Sequence, residues 1–180
     1  MEKKKSDFWP EMARPFVILT VICLVVAALL GFVNSKTQPI IEANALAAAE
    51  QTRKSVLTAA TSFEEIPEIP ADLAALGVTG IYKGNDDTGY VVTAANKGYG
   101  GDVTVTVGLD SEGKILKAVA DVSGETQGVG SKVGEMMDRF DGLTGGAEDV
   151  QLKTGATFTS KAVRASVAAA FAAFEYAAAN

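Results

Sequence analysis

The stretch DVTVTVGLD, residues 102–110, decides the fold of the larger part of the chain. In it Val103, Val105 and Val107 alternate with Thr104 and Thr106, the period-two pattern of a strand with one buried face. Asp110-Ser111-Glu112-Gly113 turns the chain. Leu116, Ala118, Ala120 and Val122 then recur at every second position, so a returning strand with one apolar face is expected beside the first. Upstream, Val78–Lys83 and Gly89–Ala95 flank Gly84-Asn85-Asp86-Asp87-Thr88, whose Gly and Asx residues tolerate the angles of a hairpin turn. Downstream, Lys132–Phe140 reads as a short helix broken by Gly142–Gly146. From Ser160 the residues Val163, Val167, Phe171 and Phe174 mark one face of a second helix, with Thr159 or Ser160 as its cap. The expected fold class is α+β: a twisted antiparallel sheet with helices against one face.

Before this region the chain changes character. From Pro15 to Ser35 no residue is charged, and about 21 residues rising about 1.5 Å each span a hydrocarbon core, so a single transmembrane helix is expected. Lys3, Lys4, Lys5 and Arg14 precede it and only Lys36 follows closely, which places the N-terminus in the cytoplasm and the rest outside. A cleaved signal peptide would have a shorter apolar region with a small-residue site directly after it, whereas the first such triplet is Ala43-Asn44-Ala45. A lipoprotein would need a small residue before its cysteine, and Cys23 follows Ile22. Thr37 to about Thr61 is Ala-rich, with Ile40, Ile41, Leu46, Val56 and Leu57 as its larger apolar groups, and reads as a helical stalk. Pro67 and Pro70 end it, and Ala71–Leu76 forms one helical turn.

The 180 residues contain no histidine and one cysteine, and carry a net charge of −6. That composition excludes histidine-ligated zinc or haem, cysteine-ligated clusters and His-activated nucleophiles. No basic stripe with interleaved aromatics is present, so nucleic acid is not an expected partner. Redox chemistry, where there is any, falls to an organic cofactor.

Two segments suit such a cofactor. Lys153-Thr154-Gly155-Ala156-Thr157-Phe158-Thr159-Ser160 clusters hydroxyls around a glycine where the last helix begins, and a helix start presents free N–H groups to an anion. The same residues also suit a plain cap and turn. Ser123-Gly124-Glu125-Thr126-Gln127-Gly128-Val129-Gly130-Ser131-Lys132 is glycine-rich. Its Gly-Ser-Lys order reverses that of a Walker loop, and the dinucleotide pattern is missed by one residue, so ATP and NAD are poor candidates. An ordinary surface loop and a loop lying against a flat ligand both remain open.

These segments, together with Lys97-Gly98-Tyr99-Gly100-Gly101 and Val107-Gly108-Leu109-Asp110…Gly113-Lys114-Ile115, resemble in order and spacing the covalent-FMN domain of the Rnf and Nqr respiratory complexes. The chain's length is nearer that of the Rnf member. The resemblance implies FMN joined through its phosphate to Thr157, with Thr154, Gly155, Ala156 and Thr159 around the attachment point and Tyr99, Glu125, Thr126, Gly128 and Gly130 as further contacts. It implies no catalytic acid or base and no metal, and an electron relay within an ion-translocating oxidoreductase rather than an enzyme acting alone. The implied partners are the other subunits of the complex, an FMN transferase during maturation and membrane lipid. The implied layout is a cytoplasmic N-terminus over 1–14, the membrane helix over 15–35, the stalk over 36–61 and an extracytoplasmic FMN-binding domain over 62–180. Gln151 stands where the family's motif has Asp, and Gln127 where its loop has Pro. A cofactor-free interaction subunit and a stand-alone flavin reductase are the alternative readings.

Overall fold

A computed structural model of the chain describes residues 8–179, with side chains described from Ala13. The chain forms two compact units, one ending at Ala48 and one beginning at Ala49. Helix α1 (Phe8–Val56) runs from the first into the second. Within Ala13–Val56 the most apolar window reaches a mean hydropathy of 3.1 and none of that window is buried, so α1 is long and apolar enough to cross a membrane. It starts upstream of Pro15 and contains both Pro15 and Pro39, each of which lacks the N–H that the helical ladder uses. Lys3, Lys4 and Lys5, which weigh in the expected orientation, lie outside the described residues.

The helix expected to reach Thr61 stops at Val56. Val56, Leu57 and Ala60 are buried against Val91, with Phe63, Tyr82 and Val119 around them, so the chain here leaves the helix to enter a core. Next come β1 (Phe63–Glu65), α2 (Ala71–Ala75), β2 (Val78–Gly84), β3 (Tyr90–Lys97), β4 (Asp102–Leu109) and β5 (Ile115–Asp121). The strands form one antiparallel meander in chain order. In the β2–β3 connection Asp86 and Asp87 take φ of 57° and 52°, the left-handed angles that Asx residues tolerate. A 3₁₀ segment, Gly130–Arg139, occupies the position of the expected short helix. Helix α3 (Thr157–Ala179) closes the fold.

The sheet is covered on both faces rather than the expected one. Val92, Val103, Val105, Val107 and Leu109 face a core completed by Val163, Val167 and Ala170 of α3 and by Val133, Met136 and Phe140. Val91 points the other way, to the end of α1. Helix α3 is apolar enough to pass the same membrane test as α1, but 44% of its window is buried, as befits a core helix.

Strand β5 departs from the expected alternation at its first residues. Leu109 pairs with Ile115 and Gly108 with Lys117, so Leu116 is an extra residue, a β-bulge that shifts the phase of the strand. Leu116 is therefore exposed and Ile115 buried, while Ala118 and Ala120 keep the apolar side expected of them.

Glycine at position 108 is what lets the end of α1 lie directly on the sheet. A Cβ there would collide with the backbone carbonyl of Val56. Gly108→Ala is expected to destabilise the full chain in detergent by about 1–3 kcal/mol, the usual cost of overpacking. Gly134→Ala is the control, since a Cβ at that site meets nothing within 4 Å. Equal urea midpoints for Gly108→Ala and the unaltered chain would show that the two surfaces do not meet as described.

Candidate functional site

The β3–β4 hairpin and the loop after β5 are joined by one side chain. Glu125 is 7% exposed, and its carboxylate accepts the backbone N–H of Tyr99 at 2.8 Å through Oε1 and that of Gly100 at 3.2 Å through Oε2. Glycines make room for it: a Cβ at Gly98 would strike the carboxylate, and one at Gly130 would lie 2.5 Å from Glu125 Cβ. Gly100 and Gly101 lie against the backbone of Gly124, where a Cβ on either would come within 3.0 Å of its carbonyl oxygen. The loop itself is closed by Val129 and Gly130 N–H groups donating to Thr126 O, at 3.2 and 2.9 Å. Gly128, at φ +77°, donates its N–H to Ser131 Oγ at 3.0 Å.

The start of α3 is built by a turn and a hydroxyl. Ala156 N–H donates to Lys153 O at 3.1 Å across a turn whose third residue, Gly155, has φ +85°, the angle of a type II turn. Ser160 Oγ donates to Ala156 O at 2.8 Å and accepts Lys153 N–H at 3.1 Å. The helix thus begins at Thr157, before the expected caps: Thr159 and Ser160 sit inside its first turn, 1% and 0% exposed. Thr154, Gly155, Thr157 and Phe158 are exposed and Ala156 is buried. Ser160 N–H donates to Ala156 O. Among the described residues the N–H groups of Thr157, Phe158 and Thr159 meet no backbone acceptor, and they are the orphan donors of a helix start.

Two aromatic rings bring these parts together. Tyr99 on the hairpin and Phe158 on α3 lie with ring centroids 6.3 Å apart, tilted by 39°. Lys153 pairs with Glu135 of the 3₁₀ segment. That pairing is the main cause holding the Glu135 carboxyl below its ordinary value, with hydrogen bonding first and charge attraction second.

The candidate residues thus fall into distinct places. Thr157 and Thr154 present free hydroxyls; Tyr99 lies beside the helix start; Glu125 is engaged with the hairpin backbone, and Gly130 gives it space. Thr126 and Gly128 are exposed on the loop that Glu125 anchors. Thr159 is directed into the protein. Sequence reasoning missed Phe158 and the Lys153–Glu135 pair. Extending the Val163, Val167 face back by one turn reaches Thr159 and Ser160, which leaves Phe158 off the buried face; that spacing was the available signal.

Exposed hydroxyls, N–H groups at a helix start, a glycine that leaves its surroundings open and two exposed aromatic rings suit a phosphate-bearing, planar cofactor. The FMN-binding domain family matches residues 98–172, the span from the hairpin to α3. The chain belongs to the family of G subunits of ion-translocating ferredoxin:NAD(+) oxidoreductase complexes, the Rnf complexes. It is 30% identical over 192 residues to the G subunit of the Na(+)-translocating ferredoxin:NAD(+) oxidoreductase complex of Acetobacterium woodii, covering 92% of both chains. It is 29% identical over 157 residues to the G subunit of the proton-translocating complex of Clostridium ljungdahlii, covering 81% of this chain and 82% of that one.

Replacing Glu125 by Ala removes the charged acceptor of the Tyr99 and Gly100 N–H groups, at a cost of about 1.5–3 kcal/mol, the range for a hydrogen bond to a charged group. Amide exchange at Tyr99 and Gly100 is expected to accelerate while β4 stays protected; unchanged exchange at both would refute the clamp. The Lys153–Glu135 pair carries a pH signature. A carboxyl whose folded value is lowered contributes stability above its unfolded value and loses it as pH falls through the folded one. Glu135→Gln should therefore lower the melting temperature at neutral pH, and the gap to the unaltered chain should close on acidification below the ordinary glutamate range. A gap independent of pH would rule the pair out.

Proposed function

We propose that this chain carries FMN esterified through its phosphate to Thr157 Oγ1 and relays electrons within an Rnf-type ferredoxin:NAD oxidoreductase complex. Family membership and the FMN-binding domain support the cofactor and the complex. The observation that carries the covalent reading is the contrast among the hydroxyls of residues 154–160. Thr159 and Ser160 are buried, so only Thr154 and Thr157 are open to modification, and of these two only Thr157 stands in the first turn of α3.

Bound FMN supplies the uptake and release of electrons. The residues of the chain fix where it sits. Thr157 tethers the phosphate, and the N–H groups of the first turn, with the helix dipole, balance its negative charge. Gly155 keeps side chains clear of it. Glu125 secures the hairpin that carries Tyr99, while Thr126, Gly128 and Gly130 shape the adjoining loop. No side chain is required as a proton donor or acceptor, so activity belongs to the assembled complex.

Attachment forms a bond between Thr157 Oγ1 and phosphorus, releases the hydroxyl proton and expels the other half of an FMN anhydride. An FMN transferase is the partner for that step. The first unit of α1 serves as the membrane anchor in contact with lipid. Arg14 and the lysines before it set the N-terminus in the cytoplasm, and the folded unit lies on the periplasmic or extracellular side. The remaining subunits of the complex couple electron flow to ion movement.

Cleavage after Lys153 and Lys161 isolates the peptide Thr154–Lys161. In protein co-expressed with an FMN transferase, that peptide is expected to gain the mass of FMN less one water. The band on a denaturing gel should fluoresce under ultraviolet light, persist in Thr154→Ala and vanish in Thr157→Ala. A bare peptide from the native membrane complex would instead support a cofactor-free interaction subunit, the reading that Gln151 in place of the family's Asp favours. Fluorescence that survives Thr157→Ala would place the ester elsewhere.

A further inference from the structure

We infer that the outward side of α3 beyond its first turn is a docking groove for an acidic segment of another subunit of the complex, held by Lys161 and Arg164. The groove presupposes that the chain works within a complex, and does not presuppose the ester at Thr157.

A hollow of about 310 Å³ lies between α3 and the short 3₁₀ turn Ala147–Asp149, lined by Glu148, Lys161, Arg164, Ala165 and Ala168. Its floor is small and apolar, since Ala165 and Ala168 are exposed there, and its rim carries the charge. At about 100° per residue, Lys161, Arg164 and Ala168 fall within about 40° of Thr157 around the helix. The hollow therefore continues the line on which the Thr157 hydroxyl is exposed.

The placing of the two cations is what calls for a partner. Lys161 and Arg164 are three residues apart on one helix, where like charges are neighbours and repel. They lie in the N-terminal half of α3, toward the positive end of its dipole, and its first turn holds no acidic residue. No Asp or Glu stands three or four residues from either of them. Among the described residues the ion pairs take up Lys83, Lys97 and Lys153, and Arg53 lies over the Tyr82 ring. Glu148 shares the hollow but pairs with neither cation. Two adjacent cations thus stand without a counter-charge in a chain of net charge −6. Carboxylates brought by a partner remove their repulsion and fix its register.

The hollow also defines the kind of partner. A free anion would meet the cations and leave the alanine floor bare. An amphipathic protein segment uses both: its apolar side chains seat on Ala165 and Ala168 while its Asp or Glu residues reach Lys161 and Arg164. The relatives of the chain are subunits of multi-subunit complexes, which supply such a neighbour.

The test uses the assembled complex in native membranes. A carbodiimide condenses a lysine amine with a carboxylate in direct contact. Lys161 is therefore expected to appear in a tryptic peptide running uncut from Thr154 to Arg164 and joined to an Asp or Glu of another subunit. Raising the salt during the reaction should reduce that product severalfold. Lys161→Glu combined with Arg164→Glu should leave the melting temperature of the purified full chain no lower, yet severalfold less of that chain should be retained with the other subunits. Lys161→Arg combined with Arg164→Lys should be retained in full. A doubly reversed variant that assembles like the unaltered chain overturns the groove, and so does a Lys161 that links only to Glu148 while other lysines link to other subunits. The mass of FMN, read on the same peptide, keeps the two readings apart. A bare peptide that still links through Lys161 refutes the ester and leaves the groove, whereas an FMN-bearing peptide without the link refutes the groove and leaves the ester.

Discussion

The carboxylate of Glu125 is the constraint on which the site depends. Its two oxygens are taken by consecutive backbone N–H groups of a hairpin that comes from another part of the chain, and it does this from a nearly buried position. A buried charge is tolerated where such charge-assisted bonds replace water. The glycines around it at 98 and 130 stand in the space the side chain needs, so at these two positions glycine is a packing requirement before it is a binding one. Through this one side chain the loop fixes the hairpin, and through Tyr99 and Phe158 the hairpin meets α3. Residues that look like separate motifs in the sequence form one mechanical unit.

How far the fold was legible depended on whether a signal was local. The alternation of Val103, Val105 and Val107 reports burial on one face of one strand, and β4 forms there with its three valines inside. The order of β2 to β5 follows from turns short enough to read directly, whereas β1, joined to β2 through a connection that includes α2, carries no such signal. The bulge at Leu116 was not legible, because the phase of β5 is set by its register against β4 and not by its own residues. The second covered face was hidden for a similar reason. Val56 and Leu57 look like the end of a stalk until Gly108, far along the chain, opens the space that receives them.

The same distinction holds for the site. The hydroxyl cluster at residues 154–160 was visible as composition, yet which hydroxyls face solvent is a property of the turn. Gly155 at positive φ and the bonds of Ser160 to Ala156 O and Lys153 N bring the helix start forward to Thr157. Ser160, an expected cap, instead works from inside the first turn. The ion pair of Lys153 with Glu135 ties that turn to the 3₁₀ segment, a contact between elements that no local pattern announces.

The proposed covalent tether answers a physical problem that an open site poses. A cofactor held by burial alone needs most of its surface enclosed, whereas the rings of Tyr99 and Phe158 offer a surface and no enclosure. Contact with a pair of exposed rings contributes modestly, on the order of 1 kcal/mol per aromatic pair, which is far too little to retain a soluble nucleotide. In the proposed attachment the ester removes the need for affinity: the flavin stays at a high effective concentration whatever the strength of its contacts. The two relatives are named for different ions, Na⁺ and protons, at almost equal similarity to this chain. A relay that fixes and presents a flavin is compatible with either, because the choice of ion then belongs to the subunits through which the ion passes.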